Sequence, residues 1–244
     1  MDDVLEGAVC GVDGCTPAAL DHVDPASGAK ATLAIEVISD AICPWCWVGK
    51  RRLDRVIAAL APHVAVSVTW RPFELNPEMP KAGVDRRAYR SAKFGSWQRS
   101  QALDAQVATA GRPDGLLFNH DRMERTPNTI DAHRLIRLAG QEGKQAEIVE
   151  GLFAAYFNEG RDIGDPAVLA DIGASAGLGH TRIAAMLASD EGLAEVHSEL
   201  QRAQDLGVSG VPTVLVDGVP LFSGAIRAEL MEAELRKAAD HVGS

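Results

Sequence analysis

The sequence predicts an α/β fold in which one β-sheet domain is interrupted by an inserted, entirely helical domain. Three observations predict it: a strand-helix-strand pattern in 32–80, a helical pattern throughout 81–204, and a strand-strand-helix pattern in 205–244. The sheet-forming parts of the two outer segments total roughly 80 residues, a reasonable size for one small domain. Residues 1–31 are rich in Gly, Ala, Asp and Pro without periodicity, so we interpret them as a flexible N-terminal arm.

The first predicted strand and the first predicted helix meet at two cysteines. Ile35–Ile38 is an alternating β-branched run, and Pro44 suits the first turn of the helix that follows. Cys43 therefore lies near the N-cap, in an extended conformation. The apolar stripe of this helix, projected backwards, includes Cys46, which we expect to face the interior; its members are Leu53, Val56, Ile57 and Leu60.

The position of Cys43 favours reactivity. Unpaired N–H groups and the positive end of the helix dipole stabilise a thiolate at a helix N-terminus, so Cys43 is the expected nucleophile. Two intervening residues place Cys46 on the same face of the first turn, where its thiol can resolve a mixed disulfide on Cys43. The pair predicts reversible dithiol/disulfide chemistry.

The remaining elements follow from periodicity. Val64–Trp70 alternates and predicts a second strand parallel to the first, because a helix connects them. No strand-like run interrupts the helical segment. The predicted helices there are Asp85–Ala110, Thr129–Gly140, Gln145–Asn158, Pro166–Ala176, His180–Ser189 and Glu191–Leu206.

The C-terminal segment returns to strands. The glycine-rich run Gly207–Val216 enters a β-branched strand, and Asp217-Gly218 predicts a hairpin turn into Val219–Phe222. A final helix, Ala225–His241, presents an apolar face that is wide enough to cover a sheet.

Two further cysteines lie in the arm, at Cys10 and Cys15. The Asp13-Gly14 pair between them favours a tight turn that would bring the two residues together. Two interpretations stay open: an auxiliary redox pair, or two thiols without a role. A zinc-binding structural module built from all four cysteines is a third possibility, although CxxxxC is unusual spacing for such a site.

Composition excludes several classes of partner. The net charge of -10 argues against binding to nucleic acid or to an anionic membrane, and no apolar run approaches transmembrane length. Four cysteines are too few for a disulfide scaffold in a chain of 244 residues. The first ten residues have no basic leader, so we expect a cytoplasmic protein; we expect no bound metal and no cofactor.

Four runs of the sequence carry a family resemblance: Cys43-Pro-Trp-Cys46-Trp-Val-Gly, Arg71-Pro-Phe-Glu-Leu-Asn-Pro77, Pro127-Asn-Thr-Ile-Asp-Ala-His-Arg-Leu135 and Gly207-Val-Ser-Gly-Val-Pro-Thr213. Together they resemble the DsbA family of thiol-disulfide oxidoreductases, which have a thioredoxin fold with a helical insertion. More narrowly they are similar to its FrnE-like branch, a neighbour of the 2-hydroxychromene-2-carboxylate isomerases. The resemblance covers about 34–239 and excludes the arm.

The resemblance implies a site as well as a fold. It implies that Val211-Pro212 is a cis peptide against the CxxC motif, and that Val211, Pro212 and Thr213 bind the substrate. Pro44 and Trp45 would tune the thiolate and the redox potential. The histidine that strongly oxidising DsbA proteins have between their cysteines is absent here, which predicts a less oxidising disulfide.

The implied substrates are disulfides or dithiols of proteins and peptides, with glutathione or a thioredoxin-type reductant as a possible redox partner. The alternative is a glutathione-dependent isomerase or transferase of the 2-hydroxychromene-2-carboxylate isomerase type. Those relatives use a hydroxyl or a single thiol at the nucleophile position, and the presence of Cys46 argues against this alternative.

Overall fold

The computed structural model describes residues 8–11, 14–17 and 31–242. The strands within them are β1 (Ala8–Gly11), β2 (Gly14–Pro17), β3 (Ala31–Ser39), β4 (Val64–Pro72), β5 (Val84–Asp85), β6 (Arg125–Thr126), β7 (Thr213–Val216) and β8 (Val219–Ser223). The α-helices are α1 (Pro44–Leu60), α2 (Arg86–Phe94), α3 (Trp97–Gly111), α4 (Ile130–Gln141), α5 (Gln145–Phe153), α6 (Pro166–Ser175), α7 (His180–Leu187), α8 (Leu193–Asp205) and α9 (Ala228–Val242).

The chain divides at Lys30 into two units. In the arm, β1 and β2 form an antiparallel pair. The larger unit begins at Ala31 and contains both the main sheet and the helical segment.

The main sheet has the strand order β4-β3-β7-β8, and the predicted thioredoxin-type α/β fold is confirmed. β3 and β4 are parallel and joined by α1, as the strand-helix-strand pattern predicts. β7 is antiparallel to β3 and forms a hairpin with β8. Asp217 and Gly218 both have positive φ, 50° and 76°, as a two-residue turn between antiparallel strands requires.

The helical segment differs from the prediction in two places. The single helix predicted over Asp85–Ala110 is wrong: Gly95, with φ of 87°, ends α2, and the Ser96 hydroxyl caps α3 by accepting a hydrogen bond from the Arg99 N–H. The expectation that no strand interrupts this segment is also wrong. β5 pairs with β6 over two residues and links the start of α2 to the loop before α4.

One hydrophobic core connects the sheet with the helical segment. Trp47 of α1 is buried and stacks on Phe153 and Phe157, which follow one another along α5 and a π-helical turn at Ala154–Glu159. The Gln145 side chain accepts a hydrogen bond of 2.9 Å from the Trp70 N–H at the edge of β4. No helix in the described ranges is long and apolar enough to cross a bilayer.

Candidate active site

The two cysteines of the CxxC motif lie at the start of α1. Cys43 is the N-cap residue, with extended dihedrals of φ -88° and ψ 111°, and Pro44 is the first helical residue. The Cys43 thiol lies 3.6 Å from the Val211 carbonyl oxygen, and its backbone N–H donates to the Asp40 carbonyl. The thiols of Cys43 and Cys46 lie 3.4 Å apart without a bond between them.

Cys46 is fully buried beneath Cys43, where the apolar stripe of α1 predicts it. Burial raises the pKa of the Cys46 thiol well above its ordinary value, because a thiolate there would lose its hydration; the neighbouring Cys43 thiol adds to the rise. Cys46 therefore stays protonated under conditions in which an exposed thiol would ionise. Cys43 lines the cavity beside it and Cys46 does not, an arrangement that suits a nucleophile and a resolving group.

A loop from the far end of the sequence lies against Cys43. Its Val211-Pro212 peptide bond is cis, and Val211 borders the space in front of the thiol. Pro212 packs on α1 at Gly49: a Cβ on Gly49 would lie only 2.8 Å from Pro212 Cγ. The buried Thr213 hydroxyl lies 2.8 Å from both the Gly210 carbonyl and the Ser223 hydroxyl, so its side chain shapes the loop.

A cavity of about 400 Å³ opens beside Cys43. One wall comes from the sheet and α1 and includes Cys43, Pro44, Trp45 and Val211. The opposite wall comes from the helical segment and the proline-rich exit of β4. Its members include Leu75, Asn76, Tyr89, Arg90, Lys93, Phe94, Leu103, Asp104 and Val107. The site therefore has a helical wall that the sequence motifs did not predict.

A buried carboxylate holds the loop before the CxxC motif. Asp40 is fully buried, and its carboxylate accepts a hydrogen bond of 2.7 Å from the Leu75 N–H. His133 Nε2 lies 3.0 Å from the Phe73 carbonyl, so it bears a proton, and 3.6 Å from the Asp40 carboxylate. The sequence analysis assigned no role in the site to either His133 or Asp40.

For the two arm cysteines, the structure describes the backbone register alone. Cys10 and Cys15 are directly opposite each other in the β1–β2 pair, and their side chains lie outside the described part of the chain. Within the described part, no group of three or more His, Cys, Asp or Glu residues could hold a metal ion. A zinc module of four cysteines would need the undescribed thiols of Cys10 and Cys15.

A thioredoxin-type sheet, a CxxC motif at a helix N-terminus and a proline loop against it define a thioredoxin-fold redox domain. The sequence profile of the DsbA-like thioredoxin domain matches residues 34–236, and the chain belongs to that family.

The chain is similar in structure to three solved proteins. A probable DsbA oxidoreductase from Streptomyces coelicolor is 30% identical, with a TM-score of 0.76 over 84% of this chain and 89% of that one. A 2-hydroxychromene-2-carboxylate isomerase is 14% identical, with a TM-score of 0.64 over 86% of this chain and 97% of the isomerase. The cytosolic disulfide reductase DsbM of Pseudomonas aeruginosa, solved with glutathione, is 17% identical. Its TM-score is 0.59 over 84% of this chain and 98% of the reductase. The last two likenesses concern the fold alone.

Proposed function

We propose that this protein is a thiol-disulfide oxidoreductase or isomerase of the FrnE-like branch, acting on protein or small-molecule disulfides. One observation carries the proposal: Cys43 occupies the N-cap position of α1 beside the Val211 carbonyl, and the buried Cys46 thiol lies 3.4 Å from the Cys43 thiol. A purely structural pair of buried thiols would not need a cavity in front of one of them.

The proposed reduction of a substrate takes two exchanges. The Cys43 thiolate attacks one sulfur of the substrate disulfide, forms a mixed disulfide and releases the other substrate sulfur as a thiolate. Cys46 then loses its proton and attacks Cys43, which releases the second substrate thiolate and leaves a Cys43–Cys46 disulfide. Two electrons pass from the enzyme dithiol to the substrate, and the reverse sequence oxidises a dithiol.

The surroundings of Cys43 have separate roles in this proposal. The Val211 backbone is available to pair with an extended substrate peptide, as in strand addition to a sheet edge. Pro212 fixes this loop against α1 through its contact with Gly49. Pro44 and Trp45 lie between the two cysteines in the sequence and line the cavity. They tune the stability of the thiolate and hence the redox potential.

We further propose a cytoplasmic setting with glutathione or a thioredoxin-type protein as the redox partner. The support is the fold shared with a cytosolic disulfide reductase that was solved with glutathione. Incubation of the oxidised protein with reduced glutathione, followed by mass spectrometry, should show a glutathione adduct on Cys43. Incubation of the oxidised protein with thioredoxin and thioredoxin reductase, followed by mass spectrometry, tests the other partner.

Cys10 and Cys15 are proposed as an auxiliary redox pair. Their direct opposition in an antiparallel pair is compatible with a disulfide, because facing residues there have Cα atoms about 4.5–5.5 Å apart. Redox titration of Cys43→Ser/Cys46→Ser with mass detection should show a two-electron transition at Cys10 and Cys15. Two independently alkylated thiols at every potential would contradict the auxiliary role.

The alternative, a glutathione-dependent isomerase, has one observation in its favour: the fold shared with a 2-hydroxychromene-2-carboxylate isomerase. The variant Cys46→Ser separates the two functions, because an isomerase needs only the thiol at position 43. Isomerisation of 2-hydroxychromene-2-carboxylate that survives in Cys46→Ser, together with no disulfide exchange in the wild type, would favour the alternative.

The deciding experiment measures insulin reduction, dithiol oxidation and the redox potential side by side. We expect wild type and Cys10→Ser/Cys15→Ser to be active, and Cys43→Ser to be inactive in both directions. Equilibration with a glutathione buffer should give a less oxidising potential than that of DsbA proteins with a histidine between the cysteines. Activity that survives in Cys43→Ser would refute the proposed function.

A further inference from the structure

The helical wall of the active-site cavity contains a lysine without a carboxylate partner. Lys93, in the last turn of α2, donates hydrogen bonds to Asn76 Oδ1, to the Tyr89 hydroxyl at 3.3 Å and to the Leu75 carbonyl at 3.5 Å. All three acceptors are neutral oxygens. No acidic side chain in the described ranges forms an ion pair with Lys93, although the protein has ten more acidic than basic residues.

The acceptors hold Lys93 in a defined position. The Tyr89 hydroxyl donates to Asn76 Oδ1, so the side chains of Asn76, Tyr89 and Lys93 form one hydrogen-bonded group. The Lys93 ammonium also lies 5.5 Å from the centre of the Tyr89 ring. Lys93 is exposed to solvent, and these contacts restrict its side chain; a pre-positioned cation loses less entropy when it binds an anion.

The charge of the cavity lining is opposite to that of the whole protein. Its ionisable side chains, apart from the Cys43 thiol and Tyr89 and Tyr156 hydroxyls, are Lys93, Arg90 and Asp104. Arg90 forms an ion pair of 2.7 Å with Asp104, which also pairs with the buried Arg86 at 2.7 Å. Lys93 is therefore the cation of the lining whose charge no carboxylate of the described residues neutralises, and an anion can displace the weaker of its neutral acceptors. Apolar side chains line the same cavity: Trp45, Phe94, Leu103 and Val107.

We propose that Lys93 is a specificity-determining residue that binds a carboxylate of a thiol or disulfide substrate whose sulfur reacts at Cys43. The substrate class is a disulfide that carries a carboxylate and whose apolar part contacts the lining at Phe94 and Val107. This inference rests on the proposed function, because it assumes exchange at Cys43. Lys93 makes no bond to the sulfur; it raises the affinity for the anionic substrate in the exchange described above.

Three disulfides that differ mainly in charge test the proposal. They are 3,3′-dithiodipropionate, with two carboxylates, the neutral bis(2-hydroxyethyl) disulfide, and cystamine, with two ammonium groups. The full-length protein is reduced beforehand, freed of reductant and mixed in excess with each disulfide, so a single turnover needs no further electron donor. The rate constant is followed by tryptophan fluorescence, and each variant is compared with wild type on the same disulfide.

We expect Lys93→Met to slow reaction with the dicarboxylate about fivefold and to leave the neutral disulfide unchanged. Lys93→Glu should lower the rate constant for the dicarboxylate further and raise the rate constant for cystamine. Lys237→Met is the matched control, because it removes the same charge from α9, where Lys237 pairs with Glu234. It should leave all three rates unchanged.

Two results would overturn the assignment of Lys93. If Lys93→Met slows all three disulfides equally, Lys93 acts only on the shape or stability of the site; if it changes none of them, it has no role in recognition. Neither result affects the proposed function, which fails if the wild type does not reduce the neutral disulfide or if Cys43→Ser still reduces it.

Discussion

The two walls of the active-site cavity are built in different ways. On the sheet side, Cys43 and Val211 are placed by backbone: a helix N-cap, a proline loop and the contact between Pro212 and Gly49. On the helical side, side chains of α2 and α3 form the surface, and among the described residues Lys93 is its cation without a carboxylate partner. We infer that the sheet wall performs the exchange chemistry and that the helical wall selects the substrate.

This division gives a clear expectation for variants. Changes on the sheet wall should alter the reaction with every substrate to the same degree, because each substrate must react with the same sulfur. Changes on the helical wall should alter the preference among substrates and leave exchange with a small neutral disulfide intact. A variant that violates this pattern would contradict the division of roles between the two walls.

The largest effect is expected for Cys46→Ser. Without a resolving thiol, the mixed disulfide on Cys43 persists, so turnover should fall to the level of uncatalysed exchange for every disulfide. Intact mass spectrometry should show one substrate thiol bound per chain. The control is Cys43→Ser, which should form no adduct at position 46, because Cys46 is fully buried. An adduct on Cys46 would invert the roles that we assign.

The next largest effect is the pH dependence of the resolving step. Burial raises the pKa of Cys46, so only a small fraction of it is thiolate at neutral pH. Below that raised pKa, the rate of mixed-disulfide collapse should increase about tenfold for each pH unit, in step with the thiolate fraction. Stopped-flow measurement of substrate-thiol release from the preformed adduct checks this. A rate that is flat from neutral to alkaline pH would show that proton loss from Cys46 does not limit the step.

Gly49→Ala tests the contact between α1 and the proline loop. The added methyl group would lie 2.8 Å from Pro212 Cγ, in a ring that cannot rotate away. The clash should cost about 1–3 kcal/mol, partly offset by the gain of about 1 kcal/mol in helix propensity. We expect a lower midpoint of thermal unfolding and equally reduced rates for charged and neutral disulfides.

The control for this variant is Gly179→Ala, where the nearest atom to the added Cβ is 3.8 Å away. It should leave the rates with charged and neutral disulfides unchanged, with at most a small loss of stability because Gly179 is the N-cap residue of α7. Selective loss of one substrate in Gly49→Ala would show that the sheet wall also takes part in selection.

The sheet wall could be predicted because local sequence determines most of it. Pro44 after Cys43, the apolar stripe through Cys46 and the Asp217-Gly218 turn each follow from fewer than twenty consecutive residues. The place of the distant Val211-Pro212 loop came from the family resemblance. The break between α2 and α3 also had a local signal, Gly95 followed by Ser96, which periodicity alone concealed.

The helical wall could not be predicted because it depends on how separate elements pack. Lys93 meets Asn76 only where α2 lies against the exit of β4, and His133 reaches Asp40 only where α4 contacts the CxxC loop. Neither contact has a sequence spacing that identifies it. The residues that we assign to selection were therefore found from the structure.

The smallest effect is expected for Tyr89→Phe, the finest test of the helical wall. The change removes one hydroxyl that donates to Asn76 and accepts from Lys93, and it leaves the ring in place. A hydrogen bond of this kind contributes about 0.5–1.5 kcal/mol, and because Lys93 keeps its bonds to Asn76 and Leu75 we expect the lower end of that range: the preference for a dicarboxylate over a neutral disulfide should fall about twofold. Ser91→Ala removes a hydroxyl from the same helix, where it bonds only the Arg87 carbonyl, and should leave the preference unchanged. If Tyr89→Phe slows the neutral disulfide as much as the charged one, the helical wall supports the chemistry itself, and the division between the two walls is wrong.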